Sequence, residues 1–123
     1  MVRQAGLLTL LIVTLGLIAS CTRTVTEHSE ITLSSGQYMT IPVNLKAGDL
    51  IDGSVTVVGG TNLDIAFAIQ DPNGRNATDL VRKRSHNFTY RARQDGIHHL
   101  YLDNTYSLLT GKIVSLTFKH PIR

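Results

Sequence analysis

At 123 residues the chain has room for one domain and no more. Lys and Arg exceed Asp and Glu by 12 to 9, a formal charge of +3 that is too small to argue for nucleic acid, whose binders concentrate positive charge on one face or helix. It does suit contact with an anionic surface. There is no Trp, and the one cysteine, Cys21, excludes an intramolecular disulfide.

The chain opens with Arg3 and an apolar run from Leu7 to Ile18, "LLTLLIVTLGLI". That run has the length of a signal-peptide h-region and falls short of the roughly 20 residues that span a bilayer. The next residues, "IASC" from Ile18 to Cys21, set small side chains before the lone Cys. They resemble the lipobox of bacterial lipoproteins. The resemblance implies cleavage before Cys21 and a diacylglycerol on its thiol. Membrane lipid is then the partner of Cys21. The domain is held at the cell membrane or outer membrane and faces away from the cytoplasm. The alternative is an uncleaved signal-anchor helix, with Cys21 incidental. Residues 1–20 are read as the signal peptide, 21–30 as a polar tether, and 31–121 as the folded domain.

After the Thr-rich tether the sequence breaks into short alternating segments separated by turn residues, the pattern of an all-β sandwich. Glu30 to Ser34 is a first strand, and Gln37 to Leu45 a second. Pro42 cannot donate to a ladder, so the second strand is predicted at an edge or a bulge. Asp49 to Val58 is the third, with Gly53 marking a bulge. "GGTN", Gly59 to Asn62, reads as a hairpin connection. In the fourth, Leu63 to Gln70, Ile65, Phe67 and Ile69 share one face. The small Ala66 and Ala68 on the other face leave room for a close neighbour.

"DPNG" places Asp71, Pro72 and Gly74 where a type I turn prefers them. A long loop with a brief strand near Leu80 and Val81 leads to a fifth strand, Asn87 to Arg93. Gly96 opens the sixth, Gly96 to Leu102, which buries His98 and turns His99 to the opposite face. Thr110 to His120 is the last, with Lys112 on its surface. No helix of usable length is predicted after Cys21.

Four blocks carry a family resemblance: "AGDLIDGSVTV" (Ala47 to Val57), "DIAFAIQDPNG" (Asp64 to Gly74), "FTYRARQDGIHHLYLDN" (Phe88 to Asn104) and "NTYSLLTGKIVSLTF" (Asn104 to Phe118). They resemble the GOLD (Golgi dynamics) domain over roughly Gln37 to Lys119. "LDNTYSLLTGK" is the most specific part. The resemblance implies a jelly-roll β-sandwich without a catalytic role that mediates protein–protein contacts at membranes. The cargo adaptors of that family carry a disulfide in this domain, which a chain with one Cys cannot form.

The same region holds Ser107, Asp103 and two histidines, the ingredients of a hydrolase. A nucleophilic Ser needs a base in reach, an orienting acid and an oxyanion hole. No Gly-x-Ser-x-Gly elbow surrounds Ser107. Asp103, Asn104 and Ser107 are read instead as turn caps. Adjacent His98 and His99 point to opposite faces and cannot share one ion, so neither metal nor cofactor is expected.

A basic cluster of Arg82, Lys83, Arg84, Arg91 and Arg93 is a candidate contact patch for lipid phosphates or an acidic partner. The reading is a non-catalytic binding module with an unknown protein or envelope partner and no nucleic acid. The alternatives are a carbohydrate-binding jelly roll, with Tyr38 and Tyr106 as the stacking candidates, and a peptidase-accessory sandwich domain.

Overall fold

The computed structural model describes residues 22–60, 64–107 and 110–123. Eight strands make up the fold: β1 (Arg23–Leu33), β2 (Tyr38–Leu45), β3 (Leu50–Gly60), β4 (Ile65–Gln70), β5 (Val81–Lys83), β6 (Ser85–Arg91), β7 (Gly96–Asp103) and β8 (Lys112–Ile122). They form two four-stranded sheets, ordered β1-β8-β3-β6 and β2-β7-β4-β5, and every pairing is antiparallel. Eight strands in two such sheets are a jelly-roll sandwich. The all-β architecture is therefore as the alternation predicts. The signal or anchor segment and Cys21 lie outside the described residues.

The inward positions of each strand form one core between the sheets. Ile51, Val55, Val57, Val114 and Leu116 of the first sheet face Ile65, Phe67, Ile69, Leu100 and Leu102 of the second, all fully buried. Each such side chain contributes roughly 1.5–3 kcal/mol by leaving water. Phe67 and Phe88 join the sheets directly, with ring centroids 4.8 Å apart.

Pro42 sits on β2, an edge strand, where its missing N–H costs no ladder bond. "DPNG" closes as expected. The Gly74 amide donates to the Asp71 carbonyl at 3.0 Å, and Asp71 Oδ1 accepts from the Asn73 and Arg75 amides. Gly96 packs against Pro72: a Cβ there would lie 2.8 Å from the proline ring, and its φ of 139° favours glycine.

Four local expectations are corrected. The Thr-rich segment read as a tether is the first half of β1, which pairs residue by residue with β8 from Arg23 opposite Ile122. Gly53 is not at a bulge: a Cβ there would lie 2.1 Å from the Thr117 carbonyl, so glycine permits the close approach of β3 to β8. The register shift lies between Val57 and Gly59. "GGTN" does not join a hairpin, because β3 and β4 belong to different sheets; its Thr61 and Asn62 lie outside the described residues. Lys112 is buried, not on the surface.

Candidate interaction face

The two outer faces of the sandwich differ in chemistry. On the first sheet, the registers align Thr26, Lys119, Asp52 and Thr89 in one row and His28, Thr117, Ser54 and Asn87 in the next. The middle of that face is polar and hydroxyl-rich, with exposed Leu50, Val58 and Ile113 toward its ends. On the second sheet, the outward positions of β2 and β7 bring Tyr38, Thr40 and Pro42 beside His99, Tyr101 and Asp103. Here aromatic and apolar groups meet solvent.

Tyr38 and Tyr101 are the centre of this face. Their ring centroids are 5.8 Å apart at 42°, and Tyr38 is 62% exposed. The Tyr101 hydroxyl donates to Asp103 Oδ2 at 2.7 Å, and the Thr105 amide donates to Asp103 Oδ1 at 2.6 Å. Partial burial, then the Asp103 carboxylate, push the Tyr101 hydroxyl up to about 12. Burial works to raise Asp103 as well, but the bonds from Thr105 and Tyr101 outweigh it and hold the carboxyl low. Tyr101 is thus a fixed ring and Tyr38 a free one. On β4, Ala68 lies opposite Tyr101, and Ala66 lies between Asp103 and Arg82; both alanines are buried despite pointing outward.

A polar clamp closes one end of this face. Lys112 Nζ donates to Asn104 Oδ1 at 2.5 Å and to the Tyr106 hydroxyl at 2.9 Å, and lies 3.7 Å from Asp64 Oδ1. The Tyr106 hydroxyl points at Asp64, with Oδ1 at 2.9 Å and the backbone carbonyl at 2.7 Å. Arg82 Nε donates to Asp64 Oδ2 at 2.9 Å, and its guanidinium stacks 3.5 Å from the Tyr106 ring centre.

Burial pushes the Lys112 ammonium down, while Asp64 pulls it back. Burial raises Asp64, but bonds from Tyr106 and Arg82 win and hold it below its ordinary value. Burial and Asp64 push Tyr106 up to about 12. Asn104, fully buried, donates Nδ2 to the Ser34 and Thr110 carbonyls at 3.1 and 2.9 Å. The clamp therefore ties β4, β5, the β1–β2 turn and the start of β8 to one loop.

The hydrolase ingredients do not converge. Ser107 Oγ bonds the Thr110 carbonyl and hydroxyl. Asp103 serves Tyr101 and Thr105, and His98 Nδ1 bonds the Gly96 carbonyl inside the core. Among the described residues no group of three or more His, Cys, Asp or Glu could hold a metal ion. The basic cluster also divides. Arg82, Lys83 and Arg84 lie at one end of β6, while Arg91 and Arg93 lie at the other, roughly 20 Å away at 3.3 Å per residue. Arg91 donates to the Gly48 carbonyl at 2.7 Å.

The profile of the emp24/gp25L/p24 family/GOLD matches residues 29–122. The chain belongs to that family. The clamp residues Asn104, Tyr106 and Lys112 lie in "LDNTYSLLTGK", the stretch that carried the GOLD resemblance most specifically, and Ser107 of the same stretch bonds Thr110 within the loop, so that motif is the loop lock of this GOLD domain. No curated protein sequence matches the chain. The fold recurs in solved structures. A protein of Bacillus endospore appendages, disulfide-linked pili, is 15% identical with a TM-score of 0.53, covering 85% of this chain and 93% of its own. PliG of Aeromonas hydrophila, a periplasmic inhibitor of g-type lysozyme, is 12% identical with a TM-score of 0.52, covering 80% and 87%.

Sequence reasoning passed over Tyr101, Asp64 and the buried role of Lys112. The alternation of β7 held a signal for Tyr101, since Ile97, His99, Tyr101 and Asp103 share the face opposite His98. No local pattern links Asp64 to residues some forty positions later.

Proposed function

We propose that this GOLD domain is a non-catalytic binding module, held at a membrane by its N-terminus and facing away from the cytoplasm. Its Tyr38–Tyr101 face receives a protein partner. The observation that carries the reading is the exposed Tyr38 beside the fixed Tyr101 on a rigid sheet. Tyrosine is enriched in protein interfaces because it offers large contact area at small entropic cost. The 42° tilt between the rings argues against the flat platform that stacks sugars. The fold it shares with a lysozyme inhibitor is compatible with a protein-binding role.

Two experiments separate the parts of this reading. Capture from detergent-extracted membranes compares wild type with Tyr38→Ala and with Val58→Ala on the other sheet. A protein retained by wild type and Val58→Ala, lost with Tyr38→Ala, and confirmed with that protein as bait supports the face. Equal capture by all three sinks it. For the anchor, mass spectrometry of the membrane fraction should find a diacylglycerol mass on Cys21 that Cys21→Ser lacks. An unmodified Cys21 in that fraction rejects lipidation.

A further inference from the structure

The topology brings the start of the domain and a group of cations to one end of the sandwich. Arg23 opens β1 opposite Ile122 of β8, and the β2–β3 turn carries Lys46. Arg91 ends β6, Arg93 lies in the β6–β7 turn, and Arg123 follows β8. These belong to one end, because Arg123 grips Asp49 and the Ala47 amide donates to Asp95 at 2.8 Å. The "DPNG" turn packs there too, through Pro72 against Gly96.

Of the carboxylates toward this end, Asp49 is engaged by Arg123, Asp95 by the Ala47 amide, Asp71 inside its own turn and Glu27 by His120, while Asp52 on β3 has no ion-pair partner among the described residues. Arg23, Lys46, Arg91 and Arg93 are exposed. Exposed Leu50 and Ile97 flank them. An open cleft of about 370 Å³ runs between Lys46 and Arg123, floored by Asn44, His120, Pro121 and Ile122. Cations around a small, partly apolar recess fit a phospholipid headgroup.

The covalent chain sets the distance. Arg23 is two residues after Cys21 and five after the apolar run, so it lies within roughly 7 Å of Cys21 and 18 Å of that run. A membrane that holds Cys21 lies within about a Debye length of Arg23 at physiological salt, and one that holds only the apolar run lies within about two.

We propose that this end of the domain docks on the anionic phospholipid headgroups of its own membrane. The docking fixes the domain upright, with the long axis of the sandwich away from the bilayer. The Tyr38–Tyr101 face is then presented sideways. This rests on the membrane tether proposed above.

The test uses the full chain in vesicles of phosphatidylglycerol or of phosphatidylcholine, with flotation confirming that the chain is held. Lysines are labelled with a membrane-impermeant acylating reagent and read by mass spectrometry. Lys46 lies at the docking end, and Lys83 at the other end is the internal reference. On phosphatidylglycerol, Lys46 should label about fivefold more slowly relative to Lys83 than on phosphatidylcholine, since each cation near an anionic surface adds about 1 kcal/mol. Salt at 0.5 M, or Arg91→Glu with Arg93→Glu, should remove the difference. A chain that floats while Lys46 and Lys83 respond alike to lipid charge overturns the docking. A chain that does not float rejects the tether, and the docking with it.

Discussion

Lys112 Nζ lies 2.5 Å from Asn104 Oδ1, and both side chains are sealed from water. A lysine at the start of a strand has become the hub of a loop. It gives its protons to neutral oxygens and keeps Asp64 only as a second neighbour at 3.7 Å.

Removing either member should therefore cost more than a surface change. Lys112→Met keeps most of the volume but strips Asn104 and Tyr106 of their donor, for about 2–3 kcal/mol. Asn104→Ala takes one donor from each of the Ser34 and Thr110 carbonyls and the nearest acceptor from the buried Lys112 ammonium, which keeps the Tyr106 hydroxyl, for about 2 kcal/mol. The double variant should cost less than the sum, because the partners are shared. Urea unfolding of the three variants measures this; full additivity would show that the clamp is not one unit.

Acid should loosen the opposite end. The hydrogen bond from Arg123, helped by the Lys46 amide against the pull of burial, holds Asp49 at about 2 instead of 3.8. The folded carboxyl is more acidic than the unfolded one, so its contribution is complete above about pH 4 and lost as pH falls through 2. Arg123 is 40% exposed and water screens the pair, so about 1 kcal/mol is the expected size. Asp49→Asn should flatten the fall in urea midpoint between pH 4 and 2, as the midpoints measured across that range will show. A residual slope belongs to Asp64 and Asp103, which are also held low.

Gly53→Ala should be far worse than Gly74→Ala. At Gly53 the new methyl would meet the Thr117 carbonyl at 2.1 Å, between two central strands. The ladder must open, at about 3 kcal/mol or more. Gly74 has open space and only its φ of 80° to lose, near 1 kcal/mol. Thermal melts rank the two, and equal losses would contradict the close approach.

The interaction face should separate binding from stability. Tyr38 is exposed, so Tyr38→Ala should leave the urea midpoint within about 0.5 kcal/mol of wild type. Tyr101→Phe gives up the bond to Asp103 and should cost about 1 kcal/mol. A large loss with Tyr38→Ala would mean that the ring is structural.

Much of the fold was legible because the core strands alternate strictly. Ile65, Phe67 and Ile69 announce an inward face, and Pro42 announces an edge. β1 was hidden because its first half is an edge strand exposed on both sides, so Thr24 to Ser29 has no apolar alternation to read. "GGTN" misled because glycine serves a hairpin and a crossing between sheets equally well. The burial of Lys112 depends on Asp64 and Tyr106, which local sequence does not bring together. The motif itself was visible, but its role as a lock needed the loop geometry.

The second sheet, and not the first, is the face proposed to meet a protein. Thr40 stands opposite Tyr101 on that face, and Thr56 stands at the matching centre of the other. A photo-crosslinking side chain placed at each, in the full chain within its own membrane, reads both faces at once. A protein-binding second sheet gives a discrete protein adduct from position 40 that Tyr38→Ala abolishes, and none from position 56. An adduct from position 56 alone, a non-protein adduct at position 40, or none at either position would contradict it.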